Sequence, residues 1–345
     1  MVKKSKLVST ALLVCMFLVL FAGVASAAHR LSFTTHDPVT SGQSRMKQTW
    51  IDRVNERSGG RLDIALFPGG SLAGPVQALD AVKTGAADIG WLFVLFYPGQ
   101  FPVLDSISLP LIGLDSSTQG TYALWDMMEY SDDIRKEVAA QGLKILMLYT
   151  NPVNFICTAT KPVYTLADMQ GLRMRAPAGT ATDMLALWGS VPIMMGPGDV
   201  FQGLERGTLD GYIFEYTGLE AFRLPEVTNH YTEVRFYAGA FVIGMNQQSF
   251  DALPPDLQQI IEEESGRAMS LEFSYLFQAD DRASRAKIIA EGGNVITISD
   301  EVLAEFQVEA DNYTQAWVDS NQSADFDAQG YLNKLKEVIK SYEGR

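Results

Sequence analysis

Histidine and cysteine, the residues that most often hold metals and carry nucleophilic chemistry, are almost absent from this chain. Its three histidines, His29, His36 and His230, each lack a metal-ligating residue four positions downstream, the spacing of a helical zinc site. Of two cysteines, Cys15 lies in the N-terminal apolar run and Cys157 in a strand-like stretch, so a chain without that run closes no internal disulfide. Positive charge is also scarce: 27 Lys and Arg stand against 41 Asp and Glu, a net charge of −14. Such a surface is repelled by nucleic acid and by anionic lipid. Catalytic signatures are missing too. The segment Phe67-Pro-Gly-Gly-Ser-Leu-Ala-Gly74 comes nearest, but a nucleophile elbow needs glycine where Ala73 stands, and no Gly-Lys-Ser/Thr ending makes it a phosphate loop. It reads as a turn between a strand and a helix. Internal repeats and low-complexity tracts are lacking as well.

One long apolar run is present, at residues 11–22, behind the basic group Lys3, Lys4 and Lys6. With the small residues Ala25 and Ala27 behind it, the pattern predicts a signal peptide over residues 1–27, cleaved near Ala27, and a periplasmic location. The run is short for a bilayer span, and no second one approaches that length. Cys15 sits mid-run behind Val14, which is not the position of a lipoprotein cysteine. The remaining 318 residues carry a net charge of −17, and with 47% apolar residues overall they suffice for two domains with real cores.

The order of periodicities predicts α/β layers. Strands are expected at 31–35, 61–67, 88–94, 144–149, 155–158, 173–175, 192–195, 211–214 and 295–298, with one or two more over 235–245. Helices are expected at 41–57, with Met46, Trp50 and Val54 on one face, and at 75–84, 180–188 and 199–206. Residues 256–291 hold helical periodicity without a proline, which predicts one long helix crossing both lobes, and two amphipathic helices close the chain. No linker separates two halves, so the chain is expected to cross back and forth between them.

The segment Asp168-Met-Gln-Gly-Leu-Arg-Met-Arg-Ala-Pro177 is the most informative. On a strand, Arg173 and Arg175 face one side and Leu172 and Met174 the other. Pro177 stops the strand and leaves Arg175 near its end, where open α/β sheets place ligands. There the guanidinium offers a rigid fork to a carboxylate; the alternative is an ordinary surface ion pair with one of the many acids.

That segment resembles the hallmark of the substrate-binding proteins of tripartite ATP-independent periplasmic (TRAP) transporters, the DctP-type family. Three others match that family in the same order: Asn55-Glu-Arg-Ser-Gly-Gly-Arg-Leu-Asp-Ile with Phe67-Pro-Gly-Gly-Ser-Leu, Asp199-Val-Phe-Gln-Gly-Leu-Glu-Arg-Gly-Thr-Leu-Asp-Gly211, and Leu253-Pro-Pro-Asp-Leu-Gln-Gln-Ile-Ile. The resemblance runs from the first strand to about Phe306. It implies an α/β, two-lobed periplasmic binding protein of the Venus flytrap kind, with lobes joined by crossing strands and a long helix. One lobe would hold residues 28–151 and 239–280, the other 152–238 and 281–345 with the C-terminal helices. It implies no enzyme, no catalytic residue, no cofactor and no metal. The partners would be a small carboxylate and integral-membrane transporter subunits, with the chain a monomer or a homodimer; apolar residues of 306–342 would serve pairing or equally pack the tail onto its own lobe.

For the site, the resemblance puts Arg175 on the family's selectivity-filter arginine, which pairs with the ligand carboxylate, and makes Arg173 an outer partner. It places His36 after the first strand, Trp91 and Phe93 on the third, and Phe214, Glu215 and Tyr216 after Asp210-Gly211. Asn154 falls near a position where some members carry a second arginine. Phe93 falls where acid-sugar binders carry a carboxylate, and Phe214 near where they carry an asparagine. These departures turn the expectation from a sugar acid or C4-dicarboxylate toward a monocarboxylate with an aromatic or apolar body, with Trp91, Phe93, Phe214 and Tyr216 stacking on it. The aromatics would equally fill strand cores. His36 either donates to a ligand oxygen or is a turn residue, and Glu215 either meets a ligand amine, as in an amino-acid receptor, or faces solvent. A receptor for a sensor kinase is the alternative outside transport.

Overall fold

The computed structural model describes residues 28–344, so the expected leader with Cys15 lies outside the described residues. Strands β1 (His29–Thr34), β2 (Leu62–Phe67), β3 (Ile89–Phe93) and β4 (Leu143–Thr150) come first in the chain. Next come β5 (Asn154–Thr158), β6 (Arg173–Ala176), β7 (Val191–Met194), β8 (Gly211–Phe214) and β9 (His230–Tyr237). Strands β10 (Ala240–Asn246) and β11 (Asn294–Ile296) complete the set. They form two sheets, ordered β2-β1-β3-β10-β4 and β11-β9-β5-β8-β6-β7. In the first, β1 runs parallel to β2 and β3, while β10 lies antiparallel between β3 and β4. This is a mixed α/β, two-lobed architecture.

Local sequence explains most elements. Strand β2 alternates buried Leu62 and Ile64 with exposed Asp63 and Ala65, because helices cover one of its faces. All five residues of β3 are buried, as expected of a central strand covered on both sides. Helix Gly42–Arg57 starts where the Ser41 hydroxyl accepts from the Ser44 amide, and it buries Met46, Trp50 and Val54. Cys157, on β5, is buried, and burial pushes its thiol well up.

The chain crosses between the sheets at residues 151–153 and 238–239, and the two crossings are tied together. The Asn151 amide donates to the Gly239 carbonyl (3.1 Å), and the Gly239 amide donates to Asn151 Oδ1 (2.7 Å). A third connection differs from expectation. The stretch read as one helix over 256–291 is two, Pro255–Glu263 and Gly266–Ala290. Gly266 adopts φ +78°, a left-handed conformation open to glycine, and Trp50 Nε1 caps the break by donating to the Glu264 carbonyl (2.8 Å). The 25-residue helix that follows touches both lobes. Ser270 Oγ accepts from the Leu148 amide on the first sheet, whereas Asp281 and Arg285 reach Thr217 and Glu233 beside the second.

The tail also departs from expectation. Helix Asp300–Asn321 packs Phe306 edge-on against Trp188 of the second lobe, but its Trp317 Nε1 donates to the Pro102 carbonyl of the first. Helix Ala328–Ser341 sits on the first lobe, where Gln119 Nε2 donates to the Ile339 carbonyl and Tyr342 to Asp126. The C-terminal helices therefore strap the two lobes together instead of belonging to the second. Two helices that periodicity passed over, Ser117–Tyr130 and Asp133–Ala140, cover β4. The helix expected from residue 75 begins only at Ala78.

Candidate functional site

The two arginines of β6 share a face of the strand but sit at different depths along it. Arg173, at the outer end, is half-exposed and pairs with Asp210 (2.7 Å). Arg175 is only 3% exposed and lines the cleft between the sheets. Its Nε donates to the Met195 carbonyl (3.0 Å), and its guanidinium lies 5.4 Å from the centre of the Phe214 ring. Among the described residues no carboxylate comes within ion-pair distance of it. Burial lowers its pKa to about 10, so it stays cationic at neutral pH. An unpaired buried guanidinium is costly unless an anion completes it.

The opposite wall is aromatic. Phe241 of β10 stacks on Trp91 (4.4 Å, 9°) and on Phe93 (4.6 Å, 28°), because β10 pairs antiparallel with β3 and sets the three rings side by side. His36 stacks on Trp91 at 4.7 Å. Burial, then the nearby positive charges of Lys47 and Arg175, pulls its pKa down to about 3, so the imidazole is neutral. Behind Trp91, Lys47 Nζ lies 3.3 Å from the ring centroid and 2.6 Å from Asp37 Oδ2, a buried pair that supports the wall. Phe214 completes the lining from β8, its ring flat against Gly218, where any Cβ would overlap it.

The cleft has empty space of about 560 Å³, with open solvent at its mouth included. Around it the structure brings together Arg175, Trp91, Phe93, Phe214, His36, Asn154 and Glu215. Tyr216 is not among them. Its ring packs on Phe155 (4.2 Å) and toward Tyr231, and its hydroxyl donates to Glu233, because the helix Tyr216–Ala221 turns it away from the cleft. Glu215 does not face solvent: it is buried and accepts from Asn151 Nδ2 (3.0 Å). Asn154 donates to the Tyr237 carbonyl (3.1 Å).

Phe241, Phe96, Tyr237, Asn151 and Asp37 also line the cleft, and sequence reasoning did not single them out. The only signal for Phe241 was its place in the strand pattern of 235–245, which cannot tell a wall residue from a core residue. Asn151 carried a faint one, as a polar residue before Pro152 between two apolar strands.

A cleft between two α/β lobes, closed by crossing strands and furnished with one free cation and an aromatic wall, defines a solute-binding receptor. The chain belongs to the bacterial extracellular solute-binding protein family 7, whose model matches residues 34–321. It is similar to the 2,3-diketo-L-gulonate-binding periplasmic protein of Escherichia coli, 25% identical over 70% of this chain and 73% of that one. Among solved structures it resembles a TRAP solute-binding protein of Rhodoferax ferrireducens in complex with copurified benzoate. That match has 29% identity and a TM-score of 0.83, over 91% of this chain and 98% of the other. A marine metagenome TRAP protein in complex with 3-hydroxybenzoate shares the fold (TM-score 0.85, 24% identity, 92% and 100% covered). Among the described residues no helix is long and apolar enough to cross a membrane.

Proposed function

We propose that this chain captures an aromatic or apolar monocarboxylate in the periplasm and delivers it to the membrane subunits of a TRAP transporter. The observation that carries the reading is the buried Arg175, a guanidinium without a carboxylate partner, facing a wall of Trp91, Phe93 and Phe241. A ligand carboxylate takes the fork of Arg175 in a charge-assisted pair. The ring or apolar body lies along the stacked aromatics, where each favourable contact contributes about 0.5–1.5 kcal/mol beyond burial. Ligand touching both lobes binds the closed form better than the open one and shifts the population toward it. No proton or electron transfer enters the reading. The benzoate held by the R. ferrireducens protein supports it.

The sugar acid named for the E. coli relative is the competing ligand class. It is disfavoured because the cleft holds one arginine, and the family resemblance puts Asn154 near a position where some members carry a second. The test is a thermal-shift panel of ligand-stripped protein with benzoate, phenylacetate, succinate, malate and a hexuronate. At about a thousand times its dissociation constant, a true ligand adds roughly 4 kcal/mol, hence a shift of roughly 6 °C. Benzoate or phenylacetate is expected to produce it in wild type and not in Arg175→Ala. A win for succinate, malate or the hexuronate overturns the aromatic reading.

A further inference from the structure

The cleft contains a second ionisable group that the reading above does not use. Glu215 ends β8, is 5% exposed, and shares the cavity wall with Arg175. One of its oxygens, Oε2, accepts from Asn151 Nδ2 (3.0 Å), and Asn151 is held by the hinge through Gly239. No hydrogen bond from another residue reaches Oε1. Cations do not claim the carboxyl either: Lys47 is committed to Asp37 and Arg175 lies beyond ion-pair distance.

We propose that Glu215 works as a neutral carboxylic acid whose Oε1–H donates a hydrogen bond to a second, uncharged oxygen of the ligand, so that the preferred solute is a hydroxy- or oxo-substituted aromatic monocarboxylate. The inference rests on the monocarboxylate reading of Arg175 and deepens it. Asn151 is a donor toward Oε2, which places the acid proton on Oε1, the oxygen left for the cavity. Charge agrees with geometry. Asp281 from the long helix and Asp37 from the turn after β1 both disfavour an anion here, and burial disfavours it more, so the carboxyl holds its proton up to about pH 8. Arg175 from β6, Tyr237 from β9 and Cys157 from β5 also lie within electrostatic reach, and of these only Arg175 is cationic. Once Arg175 is neutralised by a ligand carboxylate, only two uncharged donors, Asn151 Nδ2 and the residue's own amide, still favour ionised Glu215, and burial outweighs them. An aminated ligand would demand the opposite, a carboxylate at position 215.

The test measures dissociation constants by calorimetry for two matched pairs, benzoate with 3-hydroxybenzoate and phenylacetate with mandelate, together with phenylglyoxylate and phenylglycine. Wild type, Glu215→Gln and Glu215→Ala are compared at pH 7, after circular dichroism has shown that both variants fold. In wild type at least one hydroxy or oxo acid is expected to bind about tenfold tighter than its unsubstituted parent. Glu215→Gln keeps a neutral donor beside an acceptor and should retain that preference within about threefold, whereas Glu215→Ala should abolish it. In wild type the preference should also fade above about pH 8, and in Glu215→Gln it should not. Tightest binding of phenylglycine, lost in Glu215→Gln, would show a charged Glu215 and overturn the proposal. So would parents that bind through Arg175 while no preference responds to Glu215, an outcome that leaves the monocarboxylate reading standing. If no member of the panel binds wild type, both fall.

Discussion

Holding a guanidinium out of water without a counter-ion costs several kcal/mol, and the structure accepts that cost at one residue, Arg175. The same physics treats Lys47 in the opposite way. Its ammonium is as deeply buried but is matched by Asp37 at 2.6 Å and by the face of Trp91. Burial still lowers the Lys47 pKa, to about 8, so the ammonium remains charged at neutral pH. Lys47→Met is therefore expected to strand a buried Asp37 and to cost about 3–5 kcal/mol, whereas pairing Lys47→Met with Asp37→Asn should recover much of it. Equilibrium urea unfolding of the three proteins measures this, and a single variant as stable as wild type would contradict it. Arg173, with its half-buried Asp210 partner, is the contrasting surface pair and contributes little.

At the scale of elements, the aromatic wall depends on how β3, β10 and the crossing at 238–239 meet. A methyl group on Gly239 would overlap the Phe93 ring, which is also stacked on Phe241. Gly239→Ala should thus lose about 1–3 kcal/mol of stability and weaken aromatic-acid binding together, seen as a lower urea midpoint and a higher dissociation constant. Loss of neither would mean that the wall is soft. Strands and amphipathic helices were mostly legible because their periodicity is a local property. The break at Gly266 was not, since a lone glycine inside a periodic stretch reads the same whether the helix continues or turns. Tyr216 misled for a related reason. Its neighbour Phe214 is a strand residue, but helix geometry begins at Tyr216 and rotates it out of the cleft.

At the scale of the molecule, several carboxyl groups among the described residues hold their protons unusually well: Glu215 to about pH 8, Asp281 and Glu137 to about 7, and Asp105 to about 6, with Asp37 raised in the same direction, in each case chiefly through burial. The native state keeps protons that the unfolded chain releases near pH 4. The stability linked to these groups is therefore full below about pH 4 and is lost as pH rises through 6 to 8. Mutual repulsion in a chain of net charge −14 acts in the same direction. The ligand-free protein should melt at a higher temperature at pH 5 than at pH 8.5, and Glu215→Gln should flatten that dependence. Calorimetric scans across this range decide it, and a melting temperature that rises toward pH 8.5 would refute the assignment.

The sequence alone was enough to assign the family and the α/β class and to single out the arginine that lines the cleft, because each is carried by short ordered motifs and by alternation along single strands. Tertiary structure alone decided that Phe241 joins Trp91 and Phe93, that Asn151 ties the hinge to Glu215, and that the C-terminal helices strap both lobes. Those contacts join residues tens to hundreds of positions apart. Which partners meet is set by how the two sheets and the long helix pack, and no local pattern encodes that.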